Sequence, residues 1–113
     1  MTLPSKYLEL ARCSGVCLDQ INPGSTEVAF TRELALNALS LLEGTSVAVL
    51  GGDVLRCSQD GKLEYVYANW WSEQDSSEDI STYAERSQRE AMSYVANFQG
   101  SGEFEPLFVF VLS

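Results

Sequence analysis

Apolar residues recur along this chain with two distinct periods. Between Arg32 and Glu43, residues Ala35, Ala38, Leu39 and Leu42 fall at i, i+3, i+4 and i+7, the core-facing stripe of a helix. Leu34, Leu36 and Leu41 widen the stripe, Thr31 supplies an N-cap and Gly44 suits the residue just past the end. A longer helix is predicted from Ile80, Tyr83, Ala84, Ser87, Ala91, Tyr94, Val95 and Phe98, which step by 3, 1, 3, 4, 3, 1 and 3. Its opposite side carries Glu85, Arg86, Arg89 and Glu90, and Gly100-Ser101-Gly102 ends it. Ser76-x-x-Asp79 and Thr82-x-x-Glu85 both fit a capping box, which leaves its start open by about one turn. Pro4 opens a short N-terminal helix with Tyr7, Leu8 and Ala11 as its stripe, closed by Ser14-Gly15.

Strand signals fill the intervals. Val47-Ala48-Val49-Leu50 suits a buried strand, Gly51-Gly52-Asp53 interrupts it, and Asp53 to Cys57 resumes as a second extended segment. Asp60-Gly61 marks a hairpin, and Leu63, Tyr65 and Tyr67 alternate with Glu64, Val66 and Ala68 on the return. Asn22-Pro23-Gly24-Ser25 is a turn before a brief extended Glu27 to Phe30, while Val16-Cys17-Leu18 fits a helix end or a strand. Leu107 to Leu112, after Pro106, is apolar at every position and reads as a strand covered on both faces. The sum is one α+β domain over residues 1–113, a mixed sheet with a central meander and helices packed on it.

Chemistry narrows the functions. The chain has no histidine, which removes the commonest general base and the commonest zinc ligand. Neither glycine cluster matches a phosphate-binding fingerprint, so no enzyme activity, metal or cofactor is expected. Cys13, Cys17 and Cys57 are too few for a disulfide framework and are expected as small buried apolar residues in a reducing compartment. No apolar run is long enough to span a bilayer, and Met1 to Lys6 lacks the organisation of a secretory signal, so a cytoplasmic location is expected.

The net charge is −9, and it is unevenly spread: −2 through Gln59 and −7 from Asp60 onward. Such a field repels nucleic acid and anionic membrane and steers in a basic partner. The charge gathers beside aromatics. Trp70 and Trp71 are neighbours on an extended segment and should point to opposite sides, one covered and one near the surface. Directly after them, Glu73, Asp75, Glu78 and Asp79 lie in a polar stretch, where they serve equally as helix caps or as the rim of an interface. Most of Tyr65, Tyr67, Tyr83, Tyr94 and the two tryptophans are expected in the core.

Leu50-Gly51-Gly52-Asp53-Val54, followed after the hairpin by Tyr67-Ala68-Asn69-Trp70-Trp71, resembles the immunity protein 40 family of bacterial polymorphic toxin systems. Tyr83-x-x-x-Ser87, with Ala91 and Tyr94-Val95 on the same helix, is similar too. The resemblance implies a small cytoplasmic antitoxin, not an enzyme, that protects the producing cell by binding a cognate toxin domain. Gly51, Gly52, Asp53 and Asn69 are read as structural, shaping a bulge and bonding nearby amides. Trp70, Trp71, Glu73, Asp75, Glu78 and Asp79 are the candidate partner-binding set. Two other readings compete: a small-molecule or peptide-binding module whose pocket the Tyr/Trp cluster lines, and a hydrolase built on a facing carboxylate pair.

Overall fold

Leu107–Leu112 (β5) is the central strand of a five-stranded sheet, where an all-apolar run has cover on both sides. The computed structural model describes residues 2–100 and 104–113. Along the chain the elements are α1 (Ser5–Ser14), β1 (Val16–Cys17), a 3-10 turn (Leu18–Gln20), β2 (Val28–Thr31) and α2 (Arg32–Leu41). β3 (Val49–Cys57), β4 (Leu63–Trp71), α3 (Ile80–Asn97) and β5 follow. The sheet order is β1-β2-β5-β3-β4, and every pairing is antiparallel rather than mixed. The α+β class with helices packed on the sheet holds.

The helices share one face. Tyr7 of α1, Ala35, Ala38 and Leu39 of α2 and Ala91 and Val95 of α3 pack with Phe30, Val54, Phe108 and Phe110 of the strands. On the opposite face Ala29, Leu55, Leu107 and Val109 form a smaller core with Leu63 and with Leu18 of the 3-10 turn. That turn is tied across to the hairpin, since Gln20 Oε1 accepts from the Leu63 amide at 2.7 Å.

Caps explain the helix starts. Thr31 accepts from Leu34 N at 3.4 Å, and Asp79, rather than Ser76 or Thr82, caps α3 by accepting from Thr82 N at 2.8 Å. Leu8 and Ile80, expected on the buried stripes, are exposed, and so are Cys13, Cys17 and Cys57, expected as buried apolar residues. In α1 the covered positions beside Tyr7 are Leu10 and Ala11, joined by Leu3 just before the helix, a stripe rotated away from Leu8. Ile80 opens α3 before the helix reaches the sheet, and Tyr83 is its first buried residue. Ser101 and Gly102, expected to help end α3, lie outside the described residues.

The three-stranded meander becomes a two-stranded hairpin. β3 runs unbroken through Gly51-Gly52, so the two segments expected on either side are one strand. The glycine irregularity survives as a register shift against β5 between Val49 and Gly51. A second shift, against β4, falls between Asp53 and Leu55. Opposite it stands Tyr67, the one non-glycine residue with positive φ (60°) among those described.

Candidate protein-binding surface

β4 is an edge strand, and its side chains alternate between two environments. Val66, Ala68 and Trp70 pack toward the helices. Tyr65, Tyr67, Asn69 and Trp71 are exposed, with Tyr65, Tyr67 and Trp71 at 45%, 93% and 67% of full exposure. Three of the six clustered aromatics therefore lie outside the core, contrary to expectation. The alternation was visible in the sequence, but it does not say which set faces the helices.

The glycine pair makes room for the tryptophan pair. Gly51 stands opposite Trp71 and Gly52 opposite Trp70 in the β3–β4 register. A Cβ on Gly52 would come 2.5 Å from Trp70 Cη2, and one on Gly51 would lie 3.0 Å from Trp71 Cε3 while clashing with the Trp70 carbonyl. Each indole thus crosses a backbone stripped of side chain, one on each face of the sheet. Trp70 stacks on Tyr94 (centroids 4.3 Å apart, planes at 26°) and meets Phe110 edge-on at 6.1 Å. Its Nε1 is buried without a hydrogen-bond partner among the described residues. Tyr94 is pushed above its ordinary pKa, mainly by burial and secondarily by the charge of Asp53.

After Trp71 the chain is pinned. Ser72 is buried: its amide donates to Leu50 O at 2.8 Å, its carbonyl accepts from the Tyr83 hydroxyl at 2.5 Å, and its hydroxyl bonds Glu90. The acidic stretch is clamped by Arg86 of α3. Arg86 Nε and Nη2 hold Glu78 bidentately, both at 2.7 Å, Nη1 reaches Glu90 at 2.9 Å and Nη2 also donates to the Glu73 carbonyl at 2.6 Å. The Glu78 side chain is only 11% exposed. Its hydrogen bonds from Arg86, helped by one from the Asp75 amide, lower its pKa to about 2.

The four acids therefore differ in what they can offer a partner. Glu78 is spent on Arg86 and Asp79 on capping α3, which lowers its pKa through the Thr82 amide. Asp75 accepts from the Ser77 amide and hydroxyl, both at 3.1 Å, bonds that lower its pKa too. Glu73 is exposed and its carboxylate makes no hydrogen bond among the described residues. Sequence reasoning placed Arg86 and Glu90 on a solvated helix face and missed the clamp. Besides Glu90 at i+4, its partners Glu78 and Glu73 stand eight and thirteen residues upstream, beyond any helical spacing.

Ser87 and Gln88 do buried work that periodicity alone does not reveal. Ser87 Oγ accepts from Val49 N at 2.9 Å, and Gln88 Nε2 donates to Val47 O at 2.7 Å. Together they dock α3 on the entry to β3. The residues assigned structural roles sit as follows: Asp53 faces Asn69 in register, on the same side of the sheet as Trp71, and no ion pair of Asp53 occurs among the described residues.

The model of the immunity protein 40 family matches residues 17–112, from the end of β1 through β5. The chain belongs to the immunity protein 40 family. No curated protein and no solved structure matches it. Membership gives an immunity role to the fold as a whole, since the matched segment contains the entire sheet except Val16. The large groove of this family member lies elsewhere, between α2 and α3. It encloses about 1080 Å³ and is lined by Leu39, Thr45, Gln88, Met92 and Ala96 among others, with no aromatic side chain. The Tyr/Trp cluster is instead divided between the two faces of the sheet.

Proposed function

We propose that this chain neutralises a cognate toxin in the cytoplasm by direct binding, with Trp71 as the anchor and Glu73 and Asp75 as an electrostatic rim. The observation that carries the reading is Trp71 itself, a large indole left two-thirds exposed on an edge strand directly before a rigid acidic stretch. Anchors of protein interfaces are typically such aromatics, presented without a large ordering cost. The Arg86 clamp supports that presentation, because it holds the acidic stretch in one conformation before any partner arrives. Trp70, Glu78 and Asp79 act in this scheme as supports rather than contacts.

The test is co-expression with the C-terminal domain of the large secreted protein encoded nearest to this chain. The wild type should rescue growth and co-purify with that domain. Trp71→Ala should weaken the complex, and raised salt should slow association more than it speeds dissociation. Reversal of Glu73 and Asp75, which leaves the clamp and the cap intact, isolates the rim. Rescue that survives both changes would remove this surface from the reading, and rescue without co-purification would remove direct binding.

A further inference from the structure

We infer that the outward row of β4 is an arginine-binding strip, and that the partner seats one guanidinium on Trp71 and another on Tyr67. This deepens the proposed toxin contact and rests on that reading for the partner's biological identity, though not for its chemistry. Trp71 is the register partner of Gly51, where a Cβ would come 3.0 Å from its Cε3, and the residue as a whole stays 67% exposed. Tyr67, turned out by its positive φ, is 93% exposed on the same edge. A flat indole with an open π-face attracts a cation, and a planar guanidinium more than an ammonium.

The protein already packs its own arginines in this way. Arg32 lies over Phe108, Arg56 over Phe104 and Arg86 over Tyr83, at 5.9, 5.8 and 5.5 Å from the ring centroids. Among the described residues no such contact involves Tyr65, Tyr67 or Trp71, the aromatics most open to solvent. Charge selects the same occupant. Asp53 shares the outward side with Trp71 and has no ion pair among the described residues, and Glu73 lies two residues beyond Trp71. Arg86 adds no positive charge there, since Glu78 and Glu90 both hold it. The occupant is therefore a basic protein segment carrying exposed arginine.

The experiment titrates the purified chain with short oligo-arginine and oligo-lysine peptides of equal length at low salt, following tryptophan emission. Oligo-arginine should bind about tenfold more tightly than oligo-lysine, and Tyr67→Ala with Trp71→Ala should remove about that tenfold preference. Both positions are exposed, so circular dichroism should show the fold retained. Equal affinity for the two peptides, or a preference unchanged in the double variant, would overturn the strip and leave only a general charge effect. The titration needs no toxin. A chain that prefers arginine yet rescues no cell loses the immunity mechanism and keeps the strip; one that rescues but does not prefer arginine does the reverse.

Discussion

Trp70 occupies the space that a side chain at Gly52 would need. The two are register partners, and a Gly52 Cβ would meet Trp70 Cη2 at 2.5 Å and the Val109 carbonyl closer still. Neither neighbour can yield, because the carbonyl belongs to the central strand and the indole is stacked on Tyr94. Gly52→Ala should therefore cost about 3 kcal/mol, the upper end for overpacking. Chemical denaturation followed by circular dichroism measures it, and a cost near zero would mean that the indole moves freely.

Trp70 offers a sharper comparison. Its Nε1 is buried without a partner among the described residues, and an unmet buried donor costs about 1–3 kcal/mol. Trp70→Phe removes that donor while keeping an aromatic against Tyr94, so the gain offsets much of the lost volume. The expected net cost is about 1 kcal/mol or less, against about 3–5 kcal/mol for Trp70→Ala. A Trp70→Phe cost as large as about 3 kcal/mol would show that the indole N–H is satisfied after all.

Ser87→Ala should be costly for a different reason. The hydroxyl is fully buried, accepts from Val49 N and donates to Ala84 O at 3.0 Å, so its loss strands the Val49 amide inside the protein. The expected loss is about 1–3 kcal/mol, with faster hydrogen exchange at Val49. Ser93→Ala on the exposed side of the same helix should change stability by about 0.5 kcal/mol or less.

The Glu78–Arg86 clamp makes a pH prediction with a definite sign. Glu78 falls from an ordinary pKa of 4.5 to about 2 in the folded chain. Its contribution is therefore complete above pH 4.5 and disappears as pH falls through that window toward 2. Asp75 and Asp79 shift in the same direction. Glu78→Gln should lower stability at neutral pH and flatten, without abolishing, the loss between about pH 5 and about pH 2. Urea midpoints across that range would show it, and an unchanged slope would remove Glu78 from the acid response.

The elements most legible in the sequence are those with a single possible partner environment. Ala35, Ala38, Leu39 and Leu42 are fully buried, as their spacing requires, and Leu107 to Phe110 are buried on both faces of the sheet. Two kinds of feature were not legible. Adjacent glycines permit a break in a strand but do not compel one, so β3 could not be read as continuous until its pairing with β4 and β5 was known. Alternation along β4 was equally clear, yet only the packing of α3 decides that Trp70 turns inward and Trp71 outward. The family resemblance was carried by Gly51, Gly52 and the two tryptophans, and their complementarity is now a single steric arrangement. Arg86 and Glu90 are i, i+4 neighbours, but the clamp on Glu78 and Glu73 left no local signal, because those partners lie in the loop before the helix.

Tyr67 has a consequence for the behaviour of many copies together. A nine-residue edge strand displaying Tyr65, Tyr67 and Trp71, with no lysine or proline along it, is a template on which another strand could polymerise. The left-handed residue at its middle breaks the line of the edge and its register with β3. Neither half is long enough or flat enough to recruit a neighbour. We expect this irregularity to keep the exposed margin from acting as a seed for fibres in concentrated solution.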